Sequence, residues 1–223
     1  MGERNPALRK RRVLRTKIKI FVHGLGQIPA SWDKTIENME QSDNPYCPNL
    51  CELLKDKDVG YSELYSSFAE YCNKFEEPIN LCGLSLGGVL ALNYVIENPT
   101  KVNSLVLIAA QYKMPKNLLK FQNLIFKFMP AKMFDEMGFS KKDFITLSKT
   151  MMDIDFSDNL DNISCPVLLL CGEKDNANRK ASKKLNNILK SSSFKIIENA
   201  SHEVNIDNPE HLAILLSEFF YRK

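Results

Sequence analysis

The sequence predicts an α/β protein built on a mostly parallel sheet. Short β-branched and apolar runs alternate with amphipathic helical stretches. The helices stop and start at Pro and Gly. The 223 residues, 44% hydrophobic and 26% charged, fit one ordinary globular domain. A chain this long buries roughly 70% of its unfolded surface, so neither disulfides nor metals are needed to hold it.

The elements follow in order. Lys17–Val22 (KIKIFV) reads as a strand, alternating at first and then wholly apolar, and it runs into His23-Gly24. Tyr61–Phe75 reads as a helix, with Leu64, Phe68, Tyr71, Cys72 and Phe75 on one face. Ile79–Cys82 is a short strand closed by Gly83, and Gly87–Glu97 is a helix that stops at Asn98-Pro99. Leu105–Ala110 and Pro166–Leu170 are buried strands, Arg179–Lys190 is a helix, and Phe194–Ile197 is the last strand. Asn208-Pro209-Glu210 opens the C-terminal helix, with Pro at its first position and an acid in its first turn.

Gln111 to Leu160 breaks this rhythm. The stretch has helical character without a strand signal, yet it holds seven of the 13 Phe and six of the eight Met. An insertion between two sheet strands is expected to form a lid or cap.

The net charge of +3 misleads. Residues 1–19 carry eight cations against Glu3, and the remaining residues carry 22 cations and 26 acids. The basic arm at 1–16 stands before a mildly acidic domain over 17–223, so no basic face invites nucleic acid. No apolar run approaches the roughly 18 residues of a membrane span, and no secretory leader is evident. The six cysteines are too sparse for a disulfide scaffold. Reduced thiols in a cytoplasmic protein are the expectation. Cys47 and Cys51 lack the further ligands a metal would need, so no metal and no cofactor is expected.

Gly83-Leu84-Ser85-Leu86-Gly87 stands between an apolar strand and a helix. This G-x-S-x-G spacing, in that context, predicts a nucleophile elbow. A serine on such a turn needs small neighbours two residues either side, and the following helix N-terminus favours developing negative charge. Of the three histidines, His202 lies in a loop directly after the last strand, at the sheet edge where sites form. His23 ends the first strand, and His211 begins an exposed helix. Asp175, in Cys171-Gly172-Glu173-Lys174-Asp175, is the natural acid to orient His202, with Glu173 as its local rival. Backbone N–H groups of Leu86 and Leu25 are the expected oxyanion donors, and Gly24 and Gly26 let that loop turn.

With these motifs in order, the chain resembles the α/β-hydrolase superfamily, in its esterase and monoacylglycerol-lipase-like branch with a helical cap. The resemblance spans about residues 17–223. It rests on FVHGLG at 21–26, Trp32, GLSLGG at 83–88, LLLCGEKD at 168–175 and ENASHEVN at 198–205. It implies Ser85 as nucleophile, His202 as base, Asp175 as acid, and His23 as a loop-shaping residue. Two departures stand out. The family has two strands before the His-Gly loop where this chain has a basic segment, which implies about six strands instead of eight. Cys47-Pro48-Asn49-Leu50 replaces the usual Pro-Asp-Leu followed by a Gly-rich turn.

The expected activity is hydrolysis of a small or medium-chain apolar acyl ester through an acyl-enzyme. Phe121, Leu124, Ile125, Phe128, Met129 and Met133, at near-helical spacing, are the expected apolar wall for the substrate. The same triad also serves thioesterases, carbon–carbon bond hydrolases and proline iminopeptidases, and the fold also hosts non-catalytic ligand receptors.

Overall fold

The computed structural model describes residues 18–39, 44–135 and 138–221. The basic arm expected over 1–16 lies outside them. Five strands form one sheet: β1 (Lys19–Val22), β2 (Ile79–Leu84), β3 (Val102–Ile108), β4 (Val167–Gly172) and β5 (Ser192–Ile197). They lie side by side in chain order, and every neighbouring pair is parallel. The expectation of about six strands is corrected to five among the described residues. Where a sixth would flank β1, a single residue pairs instead: Phe21 N–H donates to the Tyr46 carbonyl and Tyr46 N–H donates to the Lys19 carbonyl, each at 2.8 Å. Cys47-Pro48 follows at once, and proline has no N–H with which to continue the ladder.

Apolar runs become strands here because both sheet faces are covered, as parallel sheets require. The two-residue period divides each strand between two cores. Ile20, Val22, Leu81, Leu105, Leu107 and Leu169 face one way. There they meet α3 (Tyr61–Asn73) and α4 (Leu86–Glu97), with the short α2 (Leu50–Leu53) beside them. Phe21, Cys82, Val106, Ile108, Leu168 and Leu170 face the other way. Their cover is Trp32, the neighbourhood of α1 (Asp33–Glu37) and α10 (Pro209–Tyr221). The Phe21 and Trp32 rings pack with centroids 5.2 Å apart. α4 is buried on all sides but its last residue, which is why its sequence shows no polar face.

The stretch between β3 and β4 holds α5 (Lys116–Phe128), α6 (Lys132–Asp135) and α7 (Lys141–Thr150). Its two ends are tied together: Met114 N–H donates to Ile154 O at 3.0 Å, and Phe156 N–H to Tyr112 O at 2.8 Å. Phe126, Phe134 and Phe144 meet edge to face at its centre, with centroids 4.9 to 5.9 Å apart. A Ser140–Asp143 capping box opens α7. Lys141 donates to the carbonyls of Lys127 and Met129, both at 2.7 Å, and so closes the C-terminus of α5. The remaining helices are α8 (Asn176–Ile188), after β4, and α9 (Val204–Asp207), before α10. Among the described residues no helix is long and apolar enough to cross a membrane.

The tightest backbone approach lies where α4 crosses the end of β1. A Cβ on Gly87 would fall inside the van der Waals shell of the Val22 carbonyl and 2.7 Å from that of His23. Alanine there would ordinarily favour the helix by about 1 kcal/mol. Gly87→Ala is instead expected to cost about 3 kcal/mol, because neither carbonyl can move without moving the sheet. A fall in the urea midpoint at unchanged slope is the expected result; a midpoint at or above the parent's would contradict the close approach.

Candidate active site

Four strand ends deliver the sequence-predicted residues to one edge of the sheet. Ser85 follows β2, Leu25 follows β1, Asp175 follows β4 and His202 follows β5. All lie at the carboxyl edge, where open parallel sheets form their sites.

Ser85 has φ 52° and ψ −114°, a left-handed conformation that costs a non-glycine residue on the order of 1–3 kcal/mol. The turn is held from both sides. Ser85 N–H donates to Ile108 O at 2.8 Å, and Ser85 O accepts from Val89 N–H at 3.0 Å. Leu86 is the first residue of α4, so its N–H is one of the donors a helix cannot satisfy internally. Gly24 lies so close that a Cβ on it would sit 3.5 Å from Ser85 Cβ. Neither Leu25 N–H nor Leu86 N–H has a hydrogen-bond partner among the described residues.

Asp175 Oδ2 accepts from His202 Nδ1 at 2.8 Å. The aspartate is nearly buried while the imidazole is 44% exposed, so the ring bridges a buried carboxylate and an open cavity. Asp175 also caps α8, with Oδ1 accepting from Asn178 N–H at 3.2 Å and Oδ2 from Asn178 Nδ2 at 2.8 Å. Burial alone would raise its pKa. The hydrogen bonds from His202 and Asn178 outweigh burial and hold the carboxyl below its usual range. Glu173 is engaged elsewhere, accepting from Asn199 N–H at 3.0 Å.

Ser85 and His202 line the same cavity, of about 190 Å³, with Leu25 and Leu86 on its wall. Among the described residues no hydrogen bond joins the Ser85 hydroxyl to the His202 ring, and catalytic contacts of this kind commonly tighten when substrate binds. The apolar wall comes from Val89, Met114, Leu119 and Met151. The structure therefore departs from the expected substrate wall: Phe121, Leu124, Ile125, Phe128, Met129 and Met133 do not line the cavity. All but Met129 are exposed, and Met129 packs against the core. α5 presents Leu119 and Gln122 to the cavity, so its most apolar face turns outward.

His23 is buried, and both ring nitrogens are used. Nδ1 lies 2.9 Å from Gly24 O, and Nε2 accepts from Leu50 N–H at 3.3 Å. These partners call for a neutral ring that carries its proton on Nδ1.

Sequence reading missed the amides that tie these loops together. Gln27 Nε2 donates to Asn205 Oδ1 at 3.0 Å, and Asn205 Nδ2 donates to Gln27 Oε1 at 3.3 Å and Ser31 O at 3.0 Å. Gln111 Nε2 donates to Asn178 Oδ1 at 2.6 Å, linking the insertion to the Asp175 carboxylate. The Gln27–Asn205 pair is 178 residues apart in the chain, a separation that local patterning cannot reveal.

The fold and the residues gathered at this edge define an α/β hydrolase. The chain belongs to the Hydrolase_4 family, described as serine aminopeptidase S33, whose model matches residues 46–159. That span contains Ser85 but stops short of Asp175 and His202. Over 97 residues the chain is 27% identical to the abhydrolase domain-containing protein abhd-5.2 of Caenorhabditis elegans, covering 40% of this chain and 22% of that one. This chain therefore spans about a fifth of that relative's length. Among solved structures it is similar to a thermophilic esterase from Thermogutta terrifontis, with a TM-score of 0.76 at 19% identity over 92% of this chain and 89% of that one. It is also similar to a lipase-esterase related protein from Clostridium acetobutylicum, with a TM-score of 0.71 at 17% identity over 92% and 94%. MenH from S. aureus aligns with a TM-score of 0.69 at 17% identity over 91% and 92%.

Burial is the larger influence on His23 and lowers its pKa, while the hydrogen bond to Gly24 works against it. As pH falls through about 6.5, the unfolded chain protonates this histidine more readily than the folded chain does. Stability is therefore expected to fall as pH drops through that value, because the unfolded state binds the extra proton. Urea titrations across that range should show a smaller decline for His23→Asn; an equal decline in both would place the titrating group elsewhere.

Proposed function

We propose that the protein is a serine hydrolase that cleaves a carboxylic ester with a short, largely apolar acyl group through an acyl-enzyme. The observation that carries this reading is Ser85, held at φ 52° on its turn, sharing one cavity with a His202 ring bonded to Asp175. Ser85 Oγ attacks the carbonyl carbon while His202 Nε2 takes its proton. The carbonyl oxygen becomes the oxyanion and lies against the N–H groups of Leu25 and Leu86. As the tetrahedral intermediate collapses, the imidazolium returns its proton to the departing alkoxide. Water then repeats the sequence on the acyl-enzyme with His202 again as base. Asp175 fixes the ring tautomer and stabilises its cation.

The substrate class follows from the cavity. Its volume of about 190 Å³ favours the short end of the acyl range. Met114, Leu119 and Met151 supply the adaptable apolar wall first expected from the α5 stripe. Among the described residues no Asp or Glu lines it, so a free amino terminus would find no counter-charge from them there. That favours an ester over the aminopeptidase chemistry in the family's description. The inserted helices serve as the cap that closes over the acyl group.

A panel of p-nitrophenyl esters of rising chain length, with an aminoacyl p-nitroanilide for comparison, tests this. Turnover should be greatest for short acyl chains, and the anilide should remain intact. Ser85→Ala is expected to lower kcat by on the order of 10⁴–10⁶. Asp175→Asn should lower it by on the order of 10⁴, since an amide no longer selects the required tautomer. Anilide cleavage without ester cleavage would overturn the substrate class, and full activity in Ser85→Ala would overturn the mechanism.

A further inference from the structure

The outward face of α5 is an anomaly that the reaction does not use. Phe121, Leu124, Ile125 and Phe128 follow the i, i+3, i+4, i+7 spacing of one helical stripe, and they face solvent. Phe128 is 83% exposed and Phe121 61%, where large apolar side chains are normally covered. Met133, 49% exposed, extends the patch beyond the helix. The opposite face of the same helix carries the Phe126 ring into the aromatic centre of the insertion. The stripe is therefore surplus to the helix's own packing.

Charge identifies what covers it. Lys116–Phe134 contains four lysines and no acid. Lys116 pairs with Asp153, whereas Lys120 and Lys127 form no ion pair among the described residues. The cationic character continues around the rim of the site. A second cleft of about 360 Å³, sharing Gln111, Met114 and Pro115 with the Ser85 cavity, is bordered by Lys180 and Lys184 and by Lys113, which pairs with Asp155 at 2.6 Å. Over 176–197 the chain has six cations and no acid. A second copy of the chain packed on this stripe about a two-fold axis would set one lysine-bearing stretch without acids against another. An anionic lipid surface instead receives the rings into its acyl boundary while its head groups meet the ammonium groups.

We propose that α5 docks the protein on anionic lipid surfaces, with Phe121, Leu124, Ile125 and Phe128 entering the interface and Lys120, Lys127 and Lys132 holding the head groups. The docking face adjoins the Ser85 cavity, which takes Leu119 and Gln122 from the same helix. The proposal stands apart from the ester chemistry, and its test needs no turnover.

The test is sedimentation of the full chain with phosphatidylcholine vesicles, with and without an equal share of phosphatidylglycerol. Binding is expected only to the anionic vesicles and should weaken with added salt. Replacing Lys120, Lys127 and Lys132 together by Gln should weaken it on the order of 100-fold, at about fivefold per basic residue. Phe121→Ser with Phe128→Ser should weaken it at least about tenfold. Thermal unfolding close to the parent's confirms that each variant is folded. Two results would overturn the proposal. One is vesicle binding that survives both sets of changes and is lost only on removing residues 1–15, which would assign it to the basic arm. The other is a stripe-dependent dimer by light scattering with no vesicle binding, which would assign the face to a second copy.

Discussion

The architecture turns on how closely backbone approaches backbone around Ser85. α4 must begin directly above the end of β1, and the absence of a side chain on Gly87 permits it. That approach sets the serine on a turn whose strain is retained because both of its ends are bonded, to Ile108 of β3 and to the first turn of α4. Ala109, the residue after β3, is also left-handed at φ 49°, and its N–H is bonded to Leu170 of β4. Strain and register are thus locked together across β2, β3 and β4. Gly172 repeats the device one strand further on, where a Cβ would strike the Ser201 carbonyl in the His202 loop. Small residues at strand ends let the loops bearing Ser85, Asp175 and His202 converge on one cavity.

Convergence brings polar loops into partial burial, and the amides answer that cost. Gln27 and Asn205 bond reciprocally, joining the loop that carries Leu25 to the chain just beyond His202. Asn178 does the same for Asp175, and Gln111 extends the chain of hydrogen bonds into the insertion. A shift of the inserted helices could therefore reach the carboxylate through two hydrogen bonds. The carboxylate receives three donors, and they outweigh its burial and hold its pKa below the usual carboxylate range.

Local rules made part of this legible in the sequence. Glycines at 83 and 87 around Ser85 declare a tight strand-to-helix turn, and apolar runs such as PVLLL declare strands covered on both faces. Chain order, with each loop following a strand, was enough to nominate Asp175 and His202. Contacts made across the sheet were not legible. Nothing near Gln27 points to Asn205, and Pro48 marks where pairing beyond β1 must stop without showing that Tyr46 pairs there at all. The α5 stripe failed for another reason: periodicity reports that a helix has an apolar face but not which way that face turns. Lys141 on the α5 carbonyls and Phe126 in the aromatic cluster fix the orientation, and both depend on α7.

That orientation changes what the charge distribution means. A total of +3 conceals a basic arm and a mildly acidic domain, and the domain itself is segregated. Seven of the 22 cations beyond residue 19 lie on α5 and α8, beside the two clefts at the carboxyl edge, and acids are absent from both helices. An even scatter of the same residues would give no field at the site mouth. Segregation gives a positive one, which falls off over roughly 10 Å at moderate salt and so acts on whatever approaches that edge. An ester without charge gains nothing from such a field, and a lysine row costs stability through self-repulsion. The field earns its place only if the object approaching the site is anionic while the group reacting inside is not. A neutral acyl ester carried in an anionic lipid surface would satisfy both conditions, and the two proposals, ester cleavage at Ser85 and docking through α5, meet on that point while remaining separately testable.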